Sequence, residues 1–277
     1  MDALARFGPK VDARQLFEQD RATLLRLVRG LNPGDWERPT AAAPWLVRDV
    51  VAHLLGDDLS RLARTRDGHG PVGPQQDEAL AAFIHRFNDE WVQAARRVSP
   101  RLLLDMLALT SPQILALWRD VDLDAITDPV TWAAPEPAPR WLDCARDFTE
   151  YWVHQQQIRD ATGRPDDGDP AVVHLVLDTF LRAMPQTLAG HDRPEGTTLI
   201  VAVTGAGGGR WCWQRQGGRW LPVEDADGST RVTFPDADAL WRLCTRLIEP
   251  DEARRRVTVV GDQALADAAL EVVSIIR

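Results

Sequence analysis

Phe148-Thr149-Glu150-Tyr151-Trp152-Val153-His154-Gln155-Gln156-Gln157-Ile158 places a carboxylate four residues before an imidazole, in a stretch of helical periodicity. Trp141, Ala145, Phe148, Trp152 and the Tyr151/Ile158 pair mark the apolar positions of that helix, and Gly163-Arg164-Pro165 ends it. Side chains four apart on a helix are neighbours on one face, so Glu150 and His154 can reach one metal ion if a third ligand comes from another segment. His53 is the best candidate for that ligand. It lies three residues after Val50 and seven after Leu46, on the apolar side of its own helix and away from Arg48.

Outward from this segment, an amphipathic first helix is predicted over 13–31, with Phe17, Leu24, Leu27, Val28 and Leu31 at helical spacing. Asn32-Pro33-Gly34 stops it, and a Pro-rich loop delivers the chain to a second helix beginning near Leu46. A third helix is predicted over 75–98. Ser99-Pro100 reads as an N-cap followed by proline at the first helical position, opening two shorter helical segments, to about Leu109 and from Ser111 to Trp118. Residues 128–139 contain four prolines and read as a loop. After the helix of Glu150 and His154, Asp166-Asp167-Gly168-Asp169 is the predicted linker, and another helix runs over 171–188. Beyond Arg193 the pattern changes to β-type runs at 198–204, 210–214 and 230–234, followed by a helix at 236–247, a strand at 256–260 and a closing helix at 262–276. Gly205-Ala206-Gly207-Gly208-Gly209-Arg210 lacks the Lys-Ser/Thr ending of a phosphate loop and reads as a hairpin turn. The expected organisation is a helical domain over 1–165 and a smaller α+β domain over 166–277.

A chain of 277 residues with 44% hydrophobic and 26% charged residues has enough apolar material for two ordinary cores. Its formal net charge of −9 argues against a surface built to neutralise phosphates, so a nucleic-acid partner is not expected. Cys144, Cys212 and Cys244 are odd in number and widely spaced, which predicts free thiols and a reducing, cytoplasmic setting. No apolar run approaches the length of a membrane span, so no membrane partner is expected either. Action as a monomer or homodimer is expected.

Three stretches together carry a family resemblance: Pro44-Trp45-Leu46-Val47-Arg48-Asp49-Val50-Val51-Ala52-His53-Leu54, then Glu150-Tyr151-Trp152-Val153-His154, then Asp160-Ala161-Thr162-Gly163-Arg164-Pro165. The chain resembles the mycothiol-dependent maleylpyruvate isomerase family, most strongly over 12–165. That resemblance implies a DinB-like four-helix bundle holding a divalent metal, usually zinc, through His53, Glu150 and His154. It also implies a sterol-carrier-like α+β domain after the bundle, and mycothiol, a low-molecular-weight thiol, as cofactor. Two imidazoles and one carboxylate are a known ligand set for catalytic zinc, leaving an open coordination position. A thiol bound there is held as thiolate and can add to an electrophilic carbon of a small-molecule substrate. In an isomerase, addition saturates a double bond, allows rotation and is followed by elimination; in a transferase the adduct is released. Arg246 stands where the family often has an arginine that faces the metal, although Thr245 replaces the glycine usually found before it. Two alternatives stay open at this point: a hydrolase with metal-bound water, and a ligand-binding protein in which the metal is only a brace.

Overall fold

The computed structural model describes residues 4–70, 73–165 and 168–275. A helical N-terminal region is followed by a sheet-containing part. The helices are α1 (Arg14–Arg29), α2 (Val47–Arg61), α3 (Leu80–Ala95), α4 (Pro100–Asp120) and α5 (Arg140–Thr162). Between α4 and α5, β1 (Ile126–Thr127), just before the predicted 128–139 loop, pairs antiparallel with β2 (Ala138–Pro139) at its end. Then come α6 (Pro170–Phe180), α7 (Met184–Thr187), β3 (Thr198–Val203), β4 (Gly209–Gln216), β5 (Arg219–Val223), β6 (Thr230–Phe234), α8 (Ala237–Cys244), α9 (Pro250–Arg256), β7 (Thr258–Val260) and α10 (Gln263–Leu270). Among the described residues no helix is long and apolar enough to cross a membrane.

Two compact units partition the chain, and no single cut after residue 165 separates them. One unit holds 14–122 and 147–165; the other holds 4–13, 123–146 and 168–275. The N-terminal segment and the β1/β2 stretch therefore group with the C-terminal residues. Asp166 and Asp167, half of the predicted linker, lie outside the described residues.

In the first unit, polar side chains fix which helix faces meet. Asp58 of α2 is fully buried and accepts from Arg21 of α1 (3.0 and 2.6 Å), Tyr151 of α5 (2.6 Å) and the Thr110 hydroxyl of α4. Asp147 of α5 accepts from Arg61 of α2 at 3.1 Å and from the Trp118 indole of α4 at 2.8 Å. Gln155 of α5 donates to Asp20 of α1 at 2.8 Å. Apolar area drives the helices together, and these directional bonds choose the register, because a buried polar group left unpaired costs about 1–3 kcal/mol.

Where two shorter segments are predicted, α4 runs unbroken through Pro112. A proline inside a helix costs about 3 kcal/mol, but Leu103, Leu107, Ile114, Leu117 and Trp118 are buried on either side of it. Each such side chain contributes about 1.5–3 kcal/mol, so packing overrides the break.

Gly56 of α2 sits under Trp91 of α3, whose indole N–H donates to the Ala52 carbonyl at 2.7 Å. A Cβ on Gly56 would lie 2.5 Å from Trp91 Cδ1. Alanine is ordinarily favoured over glycine in a helix by about 1 kcal/mol, yet overpacking costs about 1–3 kcal/mol. Gly56→Ala is therefore expected to lower stability in a urea melt, with loss of the Trp91 bond visible as a shift in tryptophan emission.

The second unit is built on a five-stranded sheet of order β5-β4-β3-β6-β7, in which only β3 and β6 are parallel. The Gly-rich stretch is the β3–β4 hairpin turn, with Gly205 and Gly207 at φ 83° and 73°, a backbone region open to glycine without a steric penalty. β5 is not anticipated from sequence: it carries Pro222, tolerated because the strand is at the sheet edge. The helix predicted over 171–188 is broken after Phe180 by a 3-10 turn at Leu181–Ala183. Pro185 has no N–H with which to continue the helical ladder. α10 is shorter than the closing helix predicted over 262–276, whose last residue, Ile276, lies outside the described residues.

Candidate metal centre

Asp49 opens α2, its carboxylate accepting from the Leu46 N–H at 3.1 Å while Arg96 pairs with it at 3.0 and 2.9 Å. One turn later His53 is buried, 3% exposed, with the Trp45 ring 4.8 Å from its own, centroid to centroid. The Asp58 and Asp147 bonds align α2 with α5, and this sets His53 opposite Glu150 and His154. His53 Nε2 and His154 Nε2 each lie 3.1 Å from the same oxygen, Glu150 Oε1. The two imidazole rings are 4.7 Å apart and nearly perpendicular. Ligand atoms of the three residues all fall within 4.8 Å of one another.

His154 Nδ1 donates to Gln157 Oε1 at 2.7 Å. A neutral imidazole with its proton on Nδ1 presents a lone pair at Nε2, which is the supporting arrangement a metal-ligating histidine uses. Two nitrogen donors and a half-exposed carboxylate meeting at one point have the chemistry of a divalent-metal site. The residues present fit the group.

Charges respond to this crowding. Burial opposes ionisation of Glu150, but hydrogen bonds and charge from His154 and His53 outweigh it and hold the carboxyl well below its usual range. Burial would lower His53, while Asp57 and Glu150 beside it raise it. Asp57 is pushed up to about 6, chiefly by burial and with help from the neighbouring Glu150 charge. Sequence reading missed Asp57. Its signal was the spacing: His53-x-x-x-Asp57 repeats on α2 the four-residue step that joins Glu150 to His154 on α5.

Arg246 belongs to the other unit. Its backbone is in the left-handed region at φ 56°, and its buried guanidinium donates to the Leu270 carbonyl at 3.4 Å, the Glu271 carbonyl at 2.8 Å and the Glu271 carboxylate at 3.1 Å. This is a cation at the C-terminal end of α10, where carbonyls lack helical partners. Cys144, Cys212 and Cys244 are free and buried. Burial pushes the Cys244 thiol up to about 12, which leaves it unreactive.

Comparison with known proteins agrees with this architecture. Crystal structures of a mycothiol-dependent maleylpyruvate isomerase and of a histidine-to-alanine mutant of it superpose with TM-scores of 0.53 and 0.52, covering 83% of this chain and 86% of theirs. Sequence identity there is 11% and 10%, so the likeness is one of fold. Uncharacterized proteins of two Mycobacterium tuberculosis strains are each 27% identical over 192 residues, 68% of this chain and 70% of their own length. The family model for the mycothiol maleylpyruvate isomerase N-terminal domain matches residues 17–159, a span that includes His53, Glu150 and His154. With more than half of its length matched by that model, the chain belongs to the mycothiol maleylpyruvate isomerase family.

Proposed function

We propose that the protein is a zinc- and mycothiol-dependent isomerase or S-transferase acting on a small electrophilic substrate, with the metal held by His53, Glu150 and His154. The observation that carries this reading is the convergence of the three ligand atoms within 4.8 Å. Zinc bound there would lower the pKa of a coordinated thiol and keep it as a nucleophilic thiolate. The chain's own groups do the rest. Gln157 fixes the ring orientation of His154, Glu150 opposes the metal's charge, and Trp45 walls the His53 side of the site. The α+β part is sterol-carrier-like in this reading and the helical part DinB-like. Replacing the metal by cobalt and adding mycothiol is expected to produce a sulfur-to-cobalt charge-transfer band in the near ultraviolet. Cobalt bands that ignore the thiol would move the assignment to hydrolysis by metal-bound water.

Arg246 is proposed as an anchor for a substrate carboxylate through paired N–H donors, a role in which its bonds to Leu270 and Glu271 must be exchanged for substrate. Arg246→Ala is expected to cost about 1–2 kcal/mol in a urea melt, since a partly buried cation at a helix C-terminus is worth up to about 2 kcal/mol. It should also raise KM at unchanged metal content. Lost stability with a parental KM would leave Arg246 a brace for α10.

A further inference from the structure

Three ligands do not account for every acceptor at the site. Asp57, one helical turn after His53 on α2, brings Oδ2 to 3.3 Å from His53 Nε2, the atom that Glu150 Oε1 approaches at 3.1 Å. An imidazole nitrogen offers one proton or one lone pair, directed in the ring plane, so it does not serve two carboxylates at once. His154 does not relieve the crowding. Its Nδ1 lies 2.7 Å from Gln157 Oε1, and its Nε2 lies 3.1 Å from the same Glu150 oxygen that His53 approaches. Two carboxylates thus compete for one imidazole nitrogen, whereas a divalent cation there would attract both.

We propose that Asp57 is a fourth protein ligand, so that the cation is held by two imidazoles and two carboxylates. The proposal rests on the metal-binding reading above and extends it. The Asp57 and Glu150 carboxylates both approach His53 Nε2, the atom through which this imidazole would hold a metal, and the Asp57 side chain is 26% exposed. Two carboxylates balance a dipositive ion. Four protein ligands leave a place for thiol or substrate only if coordination expands beyond four. The class of metal that fits is therefore a divalent ion at ease with five or six nitrogen and oxygen ligands, such as cobalt, iron(II) or manganese, alongside zinc.

Cobalt(II) titration of the metal-free, full-length protein tests this, read as a dissociation constant and as the intensity of the visible d–d bands. The parent is expected to show the weak bands of five- or six-coordinate cobalt. Asp57→Ala and Asp57→Asn should bind cobalt at least about 10–100-fold more weakly, the loss that even a partner supporting a ligand causes, with bands that intensify as coordination falls toward tetrahedral. Asp57→Asn keeps the size of the side chain, and helical circular dichroism confirms that the comparison is between folded proteins. Parental affinity and bands in both variants would overturn the proposal while leaving the triad standing, and so would weaker binding with unchanged bands. A parent that takes up no cobalt would remove the metal-binding reading itself, and this inference with it.

Discussion

His154→Ala is expected to leave the protein folded and to strip it of bound metal. The parent should carry about one divalent ion per chain by elemental analysis, if three side chains form one site. Removing a ligand should weaken binding by more than the about 10–100-fold that loss of a supporting partner costs. The fold should survive, because α5 keeps its apolar core residues Phe148, Tyr151, Trp152 and Ile158, all buried. Thermal melts give a second readout. A ligand present at a hundred times its dissociation constant stabilises the native state by about 2.7 kcal/mol, so added zinc should raise the melting temperature of the parent and leave that of His154→Ala unmoved. A variant with parental metal content would mean that the three residues meet for some other reason.

Asp58→Ala is expected to cost about 3–5 kcal/mol, the usual penalty for removing one partner of a buried ion pair. Arg21 is 1% exposed and would be left with its charge inside the first unit, and Ser111, which accepts from its Nε at 3.0 Å, is a neutral hydroxyl. Tyr151 and Thr110 would lose the same acceptor. Urea unfolding followed by circular dichroism measures the loss. Replacing Arg21 and Asp58 together by apolar residues of similar volume should recover much of it, because a well-packed apolar pair is often as stable as the ion pair. Metal affinity should fall in Asp58→Ala as well. Asp58 follows Asp57 and Tyr151 follows Glu150, so the bond between Asp58 and Tyr151 helps hold together the α2 and α5 positions from which the candidate ligands project.

The candidate site was legible in the sequence because its parts are short-range: an i,i+4 pair on one helix and a histidine on the apolar side of another. Strand β6 was read with its observed bounds, since Thr230 and Val232 alternate with the exposed Arg231 as a half-buried strand should. Asp57 escaped notice because a carboxylate at i+4 from a histidine reads as an ordinary solvated pair until α5 is placed beside it. The continuity of α4 through Pro112 escaped for a related reason, local propensity giving way to burial that no window of sequence displays. β5 and the β1/β2 pair are held by neighbours distant in sequence and by sheet edges that accept proline, so their own composition reads as loop.

The interleaving of the two units also bears on the order in which the chain can be made. Residues 14–122 and 147–165 of the first unit leave the ribosome before most of the second exists, whereas 4–13 and 123–146 belong with strands synthesised after residue 168. Domains generally fold as units during synthesis, so the first unit can close while those two segments wait for their mates. The same weave restricts gene fusion: no single crossover exchanges one unit for a foreign counterpart, because the early segments of the second would be carried along without the sheet they belong to.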